Sequence, residues 1–515
     1  MTGAKMRTRF QMLAVWAGAL ALTLVLSGCV TMFLPQKPAN TSKPTGESVA
    51  AELEPFYNQV LAWSDCGAGM QCATAKAPLD WADPGAAEIE IALVRHPATG
   101  DKIGSLLVNP GGPGGSGYDF IKDSADYATD AKLQERFDIV GFDPRGVGRS
   151  SAVKCYEPAQ MDDYLYGLAT ATRGTDEWIA ELEVSAKDFA KACDTNTGAL
   201  LGNVDTRSAA RDLDVLRAAL GDKKLSYLGY SYGTLLGAVY ADLFPDKVGR
   251  LVLDGAIDPS AGNFEVTKLQ AEGFESALRA YLKDCLAKSG CPFDGSVDDG
   301  MGTIRALLHS VDVSPIRSDD GRQLGSSALL TAIIYPLYDA TTWSYLSDLF
   351  VSVMAGKAEY AFQIADDYNG RNADGSYRDN STAAFMAVNC TDYAYDDDPA
   401  KMRAEAAEIE AAAPVIGTYM TFFDIGCANW PYAFTGERGQ IHAKGAAPIL
   451  VIGTTNDPAT PYVWAQALAD QLESGHLVSY EGDGHTAYNK SNPCVNDTVD
   501  DYLINGSVPG SDPKC

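Results

Sequence analysis

Histidine is scarce in this sequence, with 5 in 515 residues. Cationic side chains are also in the minority, because 40 lysines and arginines face 68 aspartates and glutamates and leave a formal net charge of -28. Such an acidic chain has little with which to neutralise a phosphate backbone, so nucleic acid is not an expected partner. The composition suits a soluble surface outside the cytoplasm.

Several common motifs are missing. The sequence has no C-x-x-C and no paired histidine and cysteine cluster, so redox and zinc chemistry are not expected and no metal or cofactor is predicted. A glycine-rich stretch, Pro110-Gly111-Gly112-Pro113-Gly114-Gly115-Ser116-Gly117, lacks the Gly-Lys-Ser/Thr of a phosphate-binding P-loop. There are no internal repeats.

The N-terminus predicts the compartment. Basic residues precede an apolar run from Met12 to Leu26, as in a signal peptide. The run ends in Leu26-Ser27-Gly28-Cys29, which resembles a bacterial lipobox in which Cys29 is lipidated and becomes the first residue of the mature protein. The alternative is an uncleaved transmembrane anchor, for which the run is short. Both place most of the chain outside the cytoplasmic membrane, with the anchor as its only membrane contact.

The cysteine count agrees with that compartment. There are 11 cysteines, and setting Cys29 aside leaves an even number in an oxidising environment. The sequence alone leaves the connectivity open. Spacing suggests the pairs Cys66 with Cys72, Cys155 with Cys193, Cys285 with Cys291, Cys390 with Cys427, and Cys494 with Cys515.

The order of strand and helix patterns predicts the fold. Strands alternate with helices up to about residue 257 and resume after residue 424, which predicts an α/β fold with a mostly parallel, doubly wound sheet. Residues 258–424 have helical patterns without strands and are predicted to form a cap over the active site. The full division is a signal peptide at 1–28, a tether at 29–50, a core at 51–257 and 425–515, and the cap between the two core segments.

Ser231 is the predicted nucleophile. It lies in Gly229-Tyr230-Ser231-Tyr232-Gly233, between an apolar strand and a helical stretch, which is the strand, turn and helix setting of a G-x-S-x-G nucleophile elbow. The glycines are needed because side chains at those positions would collide with the neighbouring strand and helix. An accidental Gly/Ser turn is the alternative, and the flanking strand and helix argue against it.

His485 is the predicted base, by elimination. In hydrolases with this elbow the chain order is serine, acid, histidine. His485 follows the last predicted strand in a glycine-flexed loop, Glu481-Gly482-Asp483-Gly484-His485. The other histidines precede the serine, lie in the cap, precede the strand expected to carry the acid, or enter the final strand: His96, His309, His442 and His476.

Asp457 is the predicted acid, since it follows a buried strand at the edge where the carboxyl ends of the strands meet. Asp254, at the end of the preceding strand, is the rival. Asp457 could also be only a turn former ahead of Pro458. The glycine-rich stretch is better interpreted as an oxyanion loop, because glycine lets backbone N–H groups approach a reacting carbonyl. Gly112 and Tyr232 are the predicted oxyanion donors.

Five motifs together carry a resemblance to a known family. They are Asn109-Pro110-Gly111-Gly112-Pro113-Gly114-Gly115-Ser116-Gly117, Asp143-Pro144-Arg145-Gly146, the Ser231 elbow, Asn456-Asp457-Pro458-Ala459-Thr460-Pro461 and Gly484-His485. The chain resembles the secreted tripeptidyl aminopeptidases, which are prolyl-iminopeptidase-like α/β-hydrolases with a TAP-like C-terminal region. The resemblance extends from about Ala75 to Cys515. Prolyl iminopeptidases carry a histidine where Asn109 stands, so strict proline specificity is not implied.

The resemblance implies a serine exopeptidase of the cell envelope that acts on peptide or protein substrates and removes short N-terminal peptides. The family also contains carboxylesterases, and an envelope esterase or lipase with the same triad is the alternative. A third possibility is a binding lipoprotein that kept only the fold. Asn389-Cys390-Thr391-Asp392 resembles the family's cap-to-core junction, and Asp392, with Asp424, is the predicted partner of the substrate amine. An ordinary solvated acid is the competing interpretation.

Overall fold

The computed structural model describes residues 40–434, 436 and 438–515. The predicted signal peptide, Cys29 and residues 29–39 of the predicted tether lie outside the described residues. A search of the described helices for one long and apolar enough to span a bilayer found none.

The described strands form one large sheet and one small hairpin. Their bounds are β1 Asn40–Thr41, β2 Ala62–Asp65, β3 Gln71–Pro78, β4 Glu88–His96, β5 Gly104–Asn109, β6 Phe137–Phe142, β7 Leu225–Tyr230, β8 Val248–Asp254, β9 Ile316–Arg317, β10 Gln323–Leu324, β11 Ile449–Asn456 and β12 Gly475–Asp483. The ten-stranded sheet has the order β1-β2-β3-β4-β6-β5-β7-β8-β11-β12. Pairing is antiparallel from β1 to β6 and parallel from β6 to β12.

The described helices cover the sheet and fill the insertion. Their bounds are α1 Glu54–Tyr57, α2 Gly117–Ala128, α3 Ala131–Arg136, α4 Pro158–Tyr166, α5 Asp176–Thr197, α6 Thr206–Leu220, α7 Tyr232–Leu243, α8 Asn263–Leu286, α9 Val297–Val313, α10 Ser326–Leu337, α11 Trp343–Met354, α12 Glu359–Tyr368, α13 Ser381–Asp392, α14 Pro399–Ala412, α15 Ile425–Ala428, α16 Tyr462–Gln471 and α17 Pro493–Asn505.

The central residues of the parallel strands are buried on both faces, which is why apolar residues predominate in β7, β8 and β11. On one face, α6 and α7 contribute buried residues such as Leu213 and Leu236 to the main core. On the other face, α2 and α17 contribute Ile121 and Val499 to a second core. The sheet is therefore doubly wound, and its carboxyl edge is where the catalytic candidates meet.

The insertion between β8 and β11 has a hydrophobic core of its own. Leu278, Ile304, Leu329 and Phe350 are fully buried there, on four different helices. Two details differ from the sequence-based expectation of uninterrupted helices. The hairpin β9–β10 lies inside this region. The helical pattern over residues 326–355 is divided into α10 and α11, because Pro336 ends the first helix and a single 3-10 turn, Ala340–Thr342, follows.

All ten cysteines in the described residues form disulfides. The bonds are Cys66–Cys72, Cys155–Cys193, Cys285–Cys291, Cys390–Cys427 and Cys494–Cys515, the pairs that the spacing suggests. Five disulfides in one chain are typical of an oxidising compartment and indicate an extracytoplasmic protein.

Candidate active site

Ser231 lies at a sharp turn between β7 and α7. Its backbone has φ 55 and ψ -123, a conformation that residues other than glycine rarely adopt. The turn is held at both ends, because the Ser231 N–H donates to the Asp254 carbonyl at 2.9 Å and its own carbonyl accepts from the Thr234 N–H at 2.8 Å. Because this turn directly follows β7, the serine lies at the carboxyl edge of the sheet.

The two glycines of the elbow are required by close packing. A Cβ on Gly229 would lie 2.4 Å from the Gly233 carbonyl oxygen, and one on Gly233 would lie 2.8 Å from the Asn109 side-chain oxygen. Neither neighbour can move freely, since each belongs to the backbone or to a buried side chain. The motif spacing is therefore a steric consequence of the turn.

His485 and Asp457 form a hydrogen-bonded pair. The imidazole Nδ1 lies 2.9 Å and 3.0 Å from the two carboxylate oxygens. Asp457 is buried and also accepts from the backbone N–H groups of Ala459 at 2.9 Å and Thr460 at 2.8 Å. With Nδ1 donating to this carboxylate, the Nε2 of His485 is left to act as a proton acceptor.

A cap residue, Tyr338, holds His485 in place. The Tyr338 carbonyl accepts the His485 N–H at 2.7 Å, and the two rings meet edge to face with centroids 5.3 Å apart. Sequence reasoning missed this residue, because nothing in a helical pattern indicates that its C-terminal tyrosine reaches a histidine about 150 positions later.

Among the described residues, no hydrogen bond joins the rival acid, Asp254, to the His485 side chain. Its carboxylate accepts the N–H of Ala487 at 3.0 Å and of Tyr488 at 2.8 Å, both just beyond the histidine. Burial raises the pKa of Asp254 above its ordinary value, although these two backbone donors oppose the shift. Since the Asp254 carbonyl also holds the Ser231 N–H, one residue ties the nucleophile turn to the histidine loop.

The glycine-rich loop packs directly against the serine. A Cβ on Gly111 would lie 2.6 Å from the Tyr230 carbonyl oxygen and 2.8 Å from the Ser231 Cβ. The Gly111 N–H donates to the Asn109 side chain at 2.9 Å, so it is already occupied. In the part of the chain that the structure describes, neither the Gly112 N–H nor the Tyr232 N–H has an acceptor. Those two donors are the ones predicted for an oxyanion.

The Asp143 motif supports the far end of this loop. Asp143 is buried and accepts from the Ser116 hydroxyl at 2.6 Å and the Tyr118 N–H at 3.1 Å, at the start of α2. Arg145 makes a two-pronged ion pair with Asp212, with both N–O distances 2.7 Å. The motif therefore stabilises the end of the loop, and in the described part of the chain none of its hydrogen bonds reaches Ser231.

Ser231 and His485 line the same cavity, which lies between the sheet edge and the cap and holds about 1630 Å³. In the described residues no hydrogen bond joins the two side chains. Gly112 and Pro113 contribute from the oxyanion loop, and the roof comes from α10, α11 and α12. Six carboxylates line the cavity, namely Asp319, Asp320, Asp339, Glu359, Asp366 and Asp367, against three cations, Arg322, Arg371 and Lys490.

Comparison with known proteins identifies the family. A family model described as TAP-like protein matches residues 413–515. The chain is 35% identical to serine protease Hip1 of Mycobacterium tuberculosis, over 98% of both chains. It is 34% identical to carboxylesterase B of the same species, over 98% of this chain and 100% of that one. It is 31% identical to tripeptidyl aminopeptidase of Streptomyces coelicolor, over 88% of this chain and 85% of that one. The chain belongs to the secreted tripeptidyl aminopeptidase family.

Membership in the secreted tripeptidyl aminopeptidase family makes the chain a serine hydrolase with an α/β-hydrolase fold. The C-terminal match begins in the cap and includes both Asp457 and His485. The family resemblance expected from five short motifs is confirmed over nearly the whole chain.

Asp392, predicted from the family motif to bind the substrate amine, lies elsewhere. It is buried at the end of α13 and is not among the residues lining the cavity. Its two oxygens accept the Thr206 N–H at 2.9 Å and the Thr206 hydroxyl at 2.5 Å. The Thr206 hydroxyl in turn lies 2.6 Å from the Tyr232 hydroxyl, so the carboxylate stabilises the packing behind the elbow.

Asp424 is also away from the cavity. It accepts from the Asn263 side chain and from the Asp396 N–H at 3.2 Å, and it lines a small separate pocket beside Phe264 and Glu405. Among the described residues, neither Asp392 nor Asp424 lines the cavity that Ser231 and His485 share, so the structure does not bring the two predicted amine-binding residues to that cavity. The motif Asn389-Cys390-Thr391-Asp392 lies at the end of α13, which the Cys390–Cys427 disulfide joins to α15.

Proposed function

We propose that this chain is a serine exopeptidase that removes short peptides, with tripeptides the expected length, from free N-termini. The observation that carries the proposal is the arrangement around one cavity. A strained serine, two unoccupied backbone donors and an aspartate-paired histidine all stand at the carboxyl edge of the sheet, beneath a helical roof.

The mechanism is acyl transfer. The Nε2 of His485 takes the proton from Ser231 as the hydroxyl attacks the scissile carbonyl, and Asp457 stabilises the imidazolium that forms. The N–H groups of Gly112 and Tyr232 hold the oxyanion. The imidazolium then gives its proton to the departing amine, and water releases the acyl-enzyme by the same steps.

The size and charge of the cavity favour a peptide with a free amine. At about 1630 Å³ it exceeds the 300–1,000 Å³ of typical small-molecule pockets. Three of its carboxylates, Asp319, Asp339 and Glu359, have no lysine or arginine within 4.0 Å in the described residues. A desolvated ammonium needs such a partner, so these cap residues take the amine-binding role in place of Asp392 and Asp424.

The experiment that tests this proposal is mass spectrometry of the products released from peptides with free and acetylated N-termini. We expect N-terminal tripeptides from the free peptides and none from the acetylated ones. Ser231→Ala should lower kcat by roughly a millionfold. Cleavage in the interior of acetylated peptides, or release of residues from the C-terminus, would overturn the proposal.

A carboxylesterase is the second candidate, because the relative named carboxylesterase B aligns over almost the whole chain. Matched tripeptidyl amides and esters separate the two activities. An exopeptidase hydrolyses both and requires the free amine, whereas an esterase hydrolyses only the ester and accepts the blocked terminus. A fluorophosphonate probe that failed to label Ser231 would instead indicate a binding protein without activity.

The proposed location is the outer face of the cell membrane, with Cys29 as the lipid attachment site. The five disulfides support an extracytoplasmic location but do not bear on the lipid. Cys29→Ala should release the enzyme into the medium with its activity intact. Retention of that variant in the membrane fraction would favour the uncleaved anchor.

A further inference from the structure

Lys490 differs from the other cations of the catalytic cavity. Arg322 is paired with Asp366 at 2.6 Å, and Arg371 is paired with Asp162 at 2.7 Å. Lys490 also lines the cavity, but among the described residues no carboxylate oxygen lies within 4.0 Å of its ammonium group. In a chain with 68 acidic residues, an ammonium without a carboxylate partner is a notable feature of the cavity that Ser231 lines.

The ammonium is nevertheless held in a defined position. Its Nζ donates to the Thr486 hydroxyl at 2.6 Å. It also stands over the Tyr127 ring, 4.6 Å from the centroid, and near the Tyr230 ring at 5.6 Å. A hydroxyl and two aromatic faces orient a cation without neutralising it, so its charge remains available to a ligand.

The backbone that carries Lys490 is the same segment that carries His485. Asp254 holds the N–H groups of Ala487 and Tyr488, and the Asn489 side chain donates to the carbonyls of Asp126 at 2.8 Å and Tyr127 at 3.2 Å. The segment is therefore fixed to the core on both sides. These contacts hold the backbone between His485 and Lys490 against the core.

The attachment of Lys490 next to His485 bears on which part of a substrate could meet the ammonium. The histidine must lie next to the leaving atom, because it donates the proton on which departure depends. Thr486, which binds the Lys490 ammonium, is the residue directly after His485. The Lys490 ammonium is thus anchored to the residue next to the predicted base, in the wall of the cavity that Ser231 also lines.

We propose that Lys490 binds a carboxylate on the leaving portion of the substrate, adjacent to the scissile bond. The substrates favoured would be short peptides whose C-terminal carboxylate falls just beyond the bond that is cut. The inference rests on the acyl-transfer function proposed above. A lysine that only clamps Tyr127 and Tyr230 together is the competing interpretation.

Two matched substrate pairs test the assignment. The first pair is a tetrapeptide with a free amine, ending in a carboxylate or in a carboxamide. The second pair consists of simple acyl esters of 4-hydroxybenzoate and 4-hydroxybenzamide, whose leaving groups are alike in shape and differ in that charge. The variants are Lys490→Met and Lys490→Arg. The control is Lys187→Met, an exposed residue of α5 paired with Glu183, which should leave all rates unchanged.

We expect the wild type to prefer the carboxylate member by about fivefold in kcat/KM. The ratio should fall to about one in Lys490→Met and largely survive in Lys490→Arg. An equal ratio for wild type and Lys490→Met overturns the inference, even if every rate drops. If only the esters are hydrolysed, the exopeptidase proposal fails, while the ester ratio still decides the role of Lys490.

Discussion

The positions of the three predicted catalytic residues, Ser231, Asp457 and His485, depend on backbone contacts that their sequence motifs do not reveal. Asp254 is the clearest case. Its carbonyl accepts the Ser231 N–H, and its carboxylate accepts the N–H groups of Ala487 and Tyr488, which follow His485 closely in the chain. It touches no reacting atom in the proposed mechanism. Its importance is positional.

Replacement of Asp254 by asparagine should lower kcat with little change in KM. An amide has one acceptor oxygen, so its NH2 group would face the Ala487 or Tyr488 N–H and displace the segment that carries His485. We expect a loss of about tenfold to a hundredfold, measured with a tripeptide anilide. Asp457→Asn, which removes the partner of the imidazole itself, should cost roughly ten-thousandfold. A purely structural role for Asp254 would lower the melting temperature and leave kcat per folded molecule intact.

The buried carboxyl of Asp392 leads to a prediction about pH. Burial raises its pKa to about 7, and the negative charge of Asp205 raises it further. The hydrogen bonds from Thr206 and the positive charge of Arg438 act in the opposite direction. A carboxyl whose pKa is raised on folding contributes stability that is complete below its ordinary pKa and is lost as the pH rises through about 7.

The wild type should therefore lose stability between about pH 4 and pH 7, by at most about 1.4 kcal/mol per pH unit from this group. Asp392→Asn has no proton to lose, so its melting temperature should fall less over that interval. Calorimetry of both proteins at several pH values provides the measurement. Parallel curves would show that Asp392 does not titrate in this range.

At the scale of elements, the Cys390–Cys427 disulfide joins α13 to α15 and closes a loop with a sequence separation of 37. The Cys66–Cys72 disulfide closes a separation of only 6. In the chain-entropy account, a longer closed loop restricts the unfolded chain more strongly. The two bonds should therefore differ in their contribution to stability.

Loss of Cys390–Cys427 by paired serine substitution should lower the free energy of unfolding by about 4 kcal/mol, against about 2 kcal/mol for Cys66–Cys72. The melting temperatures of the two double variants, compared with the wild type, give the order. An equal or reversed order would mean that native packing at α13 and α15 compensates for the missing bond.

The elements that could be predicted are those with a strong local signal. The expected helix over Thr206 to Leu220 is α6, because its apolar residues follow the helical period. The strand before Ser231 is β7, which a continuous apolar run and the following glycine indicate. The hairpin β9–β10 could not be predicted, since strands of two residues have no periodicity.

The sequence was sufficient to select residues that the structure places near one another, since Asp457 pairs with His485 and Ser231 lines the same cavity as His485. Ser231, Asp457 and His485 carry motif signals or can be found by elimination. The residues that line the cavity depend on how the cap folds over the sheet, and a motif cannot indicate that Asp392 is buried against Thr206 instead. Tyr338 reaches His485 only through that same folding.

At the scale of the whole molecule, the formal net charge of -28 is the dominant electrostatic feature. Like charges on the surface repel one another and oppose the compact state, and dissolved salt screens that repulsion. Exposed ion pairs such as Lys132 with Asp497 also weaken in salt, but each contributes little to stability, so their loss is smaller than the gain from screened repulsion. The net effect of added salt should therefore be stabilising.

Raising sodium chloride from about 10 mM to about 150 mM, which shortens the Debye length from roughly 30 Å to roughly 8 Å, should increase the melting temperature. Scanning calorimetry at the two concentrations measures the shift, and sodium sulfate at equal ionic strength controls for specific ion effects. A fall in melting temperature would mean that ion pairs outweigh the general repulsion.

The bond from the Tyr338 carbonyl to the His485 amide has a pharmacological consequence. Tyr338, at the end of α10 in the roof of the cavity, is hydrogen-bonded to His485. A compound that binds between α10 and the sheet and separates them would therefore displace the imidazole without occupying the substrate site. Such an inhibitor would not compete with peptide substrates. Resistance to it would arise from substitutions of cap residues far from Ser231.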